Sequence, residues 1–382
     1  MRRFLFLRMK NFYPVIFFIL FITLTCCDKK NSLRKSTGTD SAYFYFSKVK
    51  LVDKVPDKVT FLNNALQHLQ DKNDTLQPIL WDYKIYYHDI LKEYDTSFYY
   101  ADKLLQNGIR EKDTLQIAKG YYRLAKNHLY QDDHFEVLKK MYLSQQFYLY
   151  GMDSINAGKR LVELGIAQRR LGDFIGSQNS QVKALQLFDN FSDSTYFLSI
   201  YNNLAISYRQ LNDLEEAIDE YKNALVYSKN RVDSISVLNN IANLYADLEE
   251  YDKALSIFEN ILPQTENNYV GYRIKDNYYF TQWLNDQQLV SIDSLESVLM
   301  KRLKNNDQIG LMASYDHLTQ VYLKTQTDKA FSYAKKYYRQ AVQTDNPTDQ
   351  VRALKYAIQI GNDKEIKQFS LNYIQLIDSL FN

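Results

Sequence analysis

The side chains that could do chemistry in this 382-residue chain are few and scattered. Five histidines stand at His68, His88, His128, His134 and His317, and none is paired with another at i, i+4. With no HExxH and no CxxC, the spacing offers no metal centre. No G-x-S-x-G elbow, G-x-x-x-x-G-K-[ST] loop or G-x-G-x-x-G turn occurs either, so neither a serine nucleophile nor a phosphate cradle is marked. The expectation is a protein that is not an enzyme and needs no cofactor. Carboxylates are the one group with a pattern: Asp40-Ser41, Asp74-Thr75, Asp113-Thr114, Asp153-Ser154, Asp193-Ser194 and Asp233-Ser234, at steps of 34, 39, 40, 40 and 40 residues. Calcium would need several such groups in one loop, and these lie a whole interval apart. Asp in front of a helix does something simpler, accepting hydrogen bonds from the unsatisfied N-H groups of the first turn at the positive end of the helix dipole. The ladder therefore marks helix starts.

A self-similarity of about 40 residues means stacked supersecondary units, each burying its apolar face only against its neighbours. The clearest unit, from Asp193 to about Lys229, carries Tyr201, Leu204, Ala205 and Tyr208 on one helical segment and Leu214, Ala217, Tyr221, Ala224 and Leu225 on the next. Its small residues let two antiparallel helices approach closely while the aromatics fill the space between them. The unit resembles the tetratricopeptide repeat (TPR). Ile241, Ala242, Tyr245, Tyr251, Ala254 and Phe258 match downstream; Leu164, Gly165, Gly172, Phe174 and Ala184 match upstream, with Ser177 in place of the usual Ala. Leu124, Ala125 and Trp81 hold the start of the pattern in two further units, where His88 and His128 take a position usually filled by Tyr and read as packing residues.

After Asp233 the dipeptide loses register, yet amphipathic segments continue at about 267–284, 292–303, 307–323, 330–341, 349–360 and 364–380. The fold class expected is all-α, and the resemblance implies a right-handed superhelical solenoid of about nine antiparallel hairpins. Regular repeats would span 40–266 and degenerate ones 267–382. Only 11 Gly and 5 Pro, with no long apolar-polar alternation, exclude a turn-rich β protein, and most of the 33 Tyr and 21 Phe read as packing between helices.

The N-terminus has its own logic. Arg2, Arg3, Arg8 and Lys10 precede the apolar run 14–24, which is shorter than the roughly 20 residues a spanning helix needs. Cys26 and Cys27, the only cysteines, follow at once. This is similar to the lipobox of bacterial lipoproteins, which implies a signal peptide over 1–26 and acylation of Cys27, with Leu24 three places before it and Cys26 where a small residue is usual. Residues 27–39 read as a polar tether reaching at most about 45 Å. Loss of 1–26 lowers Lys+Arg from 47 to 43 against 45 acids, near neutrality, so no nucleic-acid partner is expected.

The TPR resemblance implies that the first helix of each unit lines a concave face. Its partner-facing positions would be Lys119, Tyr122 and Lys126, then Lys159, Arg169 and Arg170, then Asn202, Ile206 and Arg209, then Asn239, Asn240 and Asn243. Cations and amides dominate, a combination suited to an extended peptide with acidic side chains or a free carboxylate. A lipobox followed by Tyr- and Asn-rich repeats resembles proteins of the Bacteroidetes in which such ectodomains serve sensors and regulators. The function expected is thus a lipid-anchored scaffold in the cell envelope, on the periplasmic or outer-membrane face, binding a protein or peptide. The alternative is a glycan-capture lipoprotein, similar to starch-utilisation binding proteins, with Tyr269, Tyr272, Tyr278, Tyr279, Phe280 and Trp283 as its aromatic platform.

Overall fold

The computed structural model describes residues 38–381, apart from 70–73, 131–132, 189–192, 288 and 345. Cys26, Cys27, the segment 1–26 and nearly all of the tether lie outside the described residues. The rest is eighteen α-helices, which form nine antiparallel hairpins: α1 (Gly38–Lys48) with α2 (Val55–Gln67), α3 (Leu76–Ile90) with α4 (Tyr94–Glu111), α5 (Thr114–Leu129) with α6 (His134–Tyr150), α7 (Ser154–Arg170) with α8 (Phe174–Leu187), and α9 (Ser194–Gln210) with α10 (Leu214–Val226). Then come α11 (Arg231–Asp247) with α12 (Tyr251–Ile261), α13 (Tyr269–Asp286) with α14 (Leu289–Lys304), α15 (Gln308–Leu323) with α16 (Thr327–Gln343), and α17 (Pro347–Ile360) with α18 (Asp363–Phe381). The fold is a TPR-like helical solenoid, as the repeat pattern implies. The six amphipathic segments expected after residue 266 each coincide with one helix to within about three residues.

Helix ends explain the interval. Asp113, Asp153 and Asp193 are N-caps whose carboxylates accept from the backbone N-H of Gln116, Asn156 and Thr195 at 3.0, 3.0 and 3.1 Å. Asp74 accepts from Leu76 N at 2.8 Å from one place before the N-cap, which is Thr75. Asp40 and Asp233 depart from expectation: both sit inside the first turn, and the cap before Asp233 is Asn230, which accepts from Asp233 N at 2.9 Å. Nor is the ladder lost afterwards. Asn230, Asn268, Asp307 and Asn346 each cap a first helix with a side-chain oxygen, because an amide oxygen caps as well as a carboxylate.

The turns are tight for a second reason. Lys112, Met152, Gly172, Asn212 and Asn306 adopt left-handed backbone (φ 56°, 58°, 85°, 69° and 54°), and the next residue, always Asp, returns its N-H to a carbonyl five residues back. Asp153 N, for example, donates to Tyr148 O at 2.9 Å. This Schellman-type ending lets one Asp close one helix and open the next. Packing follows the expected small-residue pattern: Ala205, Ala217, Ala224, Ala242 and Ala254 are fully buried, and Tyr221 and Phe258 fill the space around them.

Candidate functional site

First helices of successive hairpins touch one another, α7 with α9, α11 with α13, α13 with α15 and α15 with α17, so they line the inner face of the curve. Polar bonds join first helices of successive hairpins. Arg123 Nε donates to Asp82 at 2.6 Å, Asn277 Nδ2 to Asn239 at 2.9 Å, and Arg352 Nη1 to Asp316 at 3.0 Å.

Several of the expected groove residues make such bonds. Lys119 pairs with Asp82 at 3.2 Å, Arg169 Nε donates to Asn203 at 3.0 Å, Asn240 Nδ2 donates to Asn202 at 3.3 Å, and Arg209 Nε meets Asp247 at 2.6 Å. Tyr122 donates to Glu163 at 3.4 Å and carries the Arg160 guanidinium 3.6 Å above its ring. Lys159 lies over Tyr196 at 5.3 Å, while Lys126, Ile206 and Asn243 are half-buried and Arg170 is exposed. Asn239 is a correction. Only 1% exposed, it joins α11 to α13 and has no surface to offer a partner. Of the six cations expected there, Lys119 and Arg209 are matched by carboxylates of the adjacent repeat.

The structure gathers four of these positions into a cleft of about 1050 Å³: Arg169 and Arg170 at the end of α7, and Ile206 and Arg209 at the end of α9. Its opposite wall comes from hairpins three to five repeats away, through Asp316, His317 and Gln320 on α15 and Asn346, Asp349 and Arg352 around α17. Lys119 lines a separate, acidic cavity of about 560 Å³ beside Asp74, Asp113 and Asp153. The remaining expected residues line neither. The far wall went unread because the Asp-Ser/Thr ladder stops at Asp233; following the caps Asn268, Asp307 and Asn346 would have extended the register to Asp316, His317 and Arg352.

Electrostatics divide the cleft. Burial, reinforced by adjacent Arg170, lowers the pKa of Arg169, which has only an amide partner, so this corner attracts anions. Across from it, burial would lower the pKa of Arg352, but Asp316 beside it outweighs that and raises it. His317 stacks on Phe280 at 4.0 Å and its Nδ1 donates to Asp276 at 2.9 Å. Asp276 is fully buried and also accepts from Ser314 at 2.8 Å and Arg302 at 3.3 Å. Burial alone would raise its pKa; Arg302 and His317 hold it below the usual carboxylate range.

The aromatic platform proposed for glycans is mostly not a surface. Trp283 is 1% exposed and Tyr272 is buried; Tyr279 and Phe280 pack against the core around Trp283. No group of three or more His, Cys, Asp or Glu suited to a metal occurs among the described residues, and no described helix is long and apolar enough to cross a membrane.

The architecture and its inner cleft define a TPR-like repeat protein, and comparisons agree at that level. Residues 175–299 match the family described as soluble NSF attachment protein, SNAP. A search of the curated proteins gives no match. Among solved structures the chain is similar to a Rap protein complexed with competence and sporulation factor (TM-score 0.55, 10% identity, covering 90% of this chain and 98% of that one). It is also similar to a signal transduction ATPase with numerous domains from Pyrococcus horikoshii that has a TPR sensor (TM-score 0.54, 12% identity, 92% of this chain), of which it spans 55%. A third is the Rap conjugation gene regulator of plasmid pLS20 in complex with the Phr* peptide (TM-score 0.52, 11% identity, 90% and 95%). At these identities the likeness is one of fold.

Proposed function

We propose that this chain is a lipid-anchored, non-enzymatic scaffold of the cell envelope that holds an extended peptide, or a segment of a partner protein, in the cleft between α7–α9 and α15–α17. One observation carries the reading: a 1050 Å³ cleft on the inner face whose walls are rigid helix ends bearing both charges and amides. Such a lining suits a peptide, whose backbone offers donors and acceptors to Gln320 and Asn346 and whose acidic groups suit Arg169 and Arg170. Two Rap proteins that cover nine-tenths of the chain were solved with competence and sporulation factor and with the Phr* peptide, which supports a sensory or regulatory role. The anchor rests on the lipobox-like run ending in Cys27.

Selection of a random peptide library on the purified full chain tests the cleft. Binders are expected, and Arg169→Glu with Arg170→Glu should weaken them at least tenfold, since charge-assisted hydrogen bonds contribute about 1.5–3 kcal/mol each. Binding unchanged by the double reversal would move the site elsewhere. Cys27→Ser should release the chain from the membrane fraction; retention would point to Cys26 or to an uncleaved segment.

A further inference from the structure

The end units of a solenoid lack a neighbour on one side and ordinarily present a polar outer face there. The first hairpin, the N-terminal one among the described residues, does not. On α1 and the turn after it, Tyr43, Phe44 and Leu51 are 51%, 56% and 72% exposed, while Ala42 on the helix and Val49 just after it are buried in the core and Phe46 sits edge-on to Tyr83 at 5.2 Å. Tyr43 and Ser47, one turn apart on α1, and Phe44 beside them are exposed, as are Lys50 and Leu51 in the turn that follows the helix. A lysine borders the rings, the Lys48 ammonium sitting 5.1 Å from the centroid of Phe44, and Lys50 and Lys54 are exposed in the segment that follows, with Asp53 between them in the chain.

Rings and a leucine flanked by long cationic side chains fit the headgroup boundary of a bilayer, where apolar bodies sink and ammonium groups stay at the phosphates. Chain length gives the same occupant. Asp40 follows Cys27 by thirteen residues, at most about 45 Å of extended chain, so an anchored protein keeps this face within reach of lipid at all times. We propose that the outer face of α1 lies on the phospholipid interface, so that the solenoid is fixed to the membrane at two points, an acyl anchor and its first hairpin. This rests on the lipid-anchor reading above.

The two ideas separate in one experiment. The native lipoprotein carrying Phe44→Trp is reconstituted into vesicles of phosphatidylcholine and phosphatidylglycerol with and without brominated acyl chains. The natural tryptophans, Trp81 and Trp283, are buried and supply an unquenched background. The residue-44 emission, obtained by subtracting the wild-type signal, is expected to fall at least twofold in brominated vesicles. Protection of 41–52 from hydrogen exchange on vesicles should be lost in a Tyr43→Ser, Phe44→Ser, Leu51→Ser variant that still floats with them. Flotation with no quenching overturns the interfacial face and leaves the anchor standing. Unquenched emission with cross-links between copies through 43–51 assigns the face to a second chain and likewise overturns it. Failure of the wild-type chain to float removes both.

Discussion

Three kinds of residue have energetic roles that can be measured singly. Asp113 and Asp153 each satisfy a first-turn N-H, so replacing either by Ala should cost about 1 kcal/mol, read as a lower urea midpoint at constant slope. Met152, 94% exposed at φ 58°, holds a backbone conformation that strains any side chain, so Met152→Gly should stabilise by roughly 1 kcal/mol. Asp276 is the costlier case. Asp276→Asn leaves Arg302, itself 1% exposed, with only its longer 3.6 Å contact to Asp307 as a charge pair and should lose about 3 kcal/mol, whereas Asp276→Leu with Arg302→Met should recover much of it. The pH sign follows from linkage: with its folded pKa depressed, Asp276 stabilises fully above the unfolded carboxylate pKa of about 4 and loses that contribution as pH falls through its lower folded value. Acid unfolding of the wild type against the Leu/Met variant would show it as a steeper loss below about pH 4.

At the scale of helices, close approach decides the sign of a substitution that propensity alone would misjudge. Gly120 lies within α5, and a Cβ there would stand 2.7 Å from Leu105 Cα on α4. An isolated helix gains about 1 kcal/mol from Gly→Ala, but here backbone must move, so Gly120→Ala should destabilise by roughly 1–3 kcal/mol and lower the thermal midpoint. How far helices could be read in advance depended on their caps. The nine hairpins and the six late segments were legible because apolar spacing survives even where the TPR motif decays. The register after Asp233 was not, since Asn230, Asn268 and Asn346 do the work of Asp with a different letter. A parallel ladder at Asp133, Asp173 and Asp213, which opens the second helices, was equally available at steps of 40.

For the whole molecule, the cleft exists only when distant repeats face each other. A chain shortened after Gln264 retains the first six hairpins, whose contacts are with near neighbours, and should stay helical by circular dichroism. It loses α15 and α17, and peptide binding should fall at least tenfold. Retained affinity would place the binding surface on the N-terminal hairpins instead.

The sequence by itself determined the helical class and the hairpin count, because capping and apolar periodicity are local and repeat with the chain; the first-helix inner face was implied by the TPR resemblance. Only tertiary structure decided which of the inner residues meet. It brought Arg169, Arg170, Ile206 and Arg209 opposite Asp316, His317 and Arg352, buried Asn239 between helices, and paired Arg209 with Asp247. The cleft depends on small rotations accumulated over several repeats, and the burial of Asn239 and the Arg209–Asp247 pair on how adjacent repeats dock, neither of which a single unit encodes.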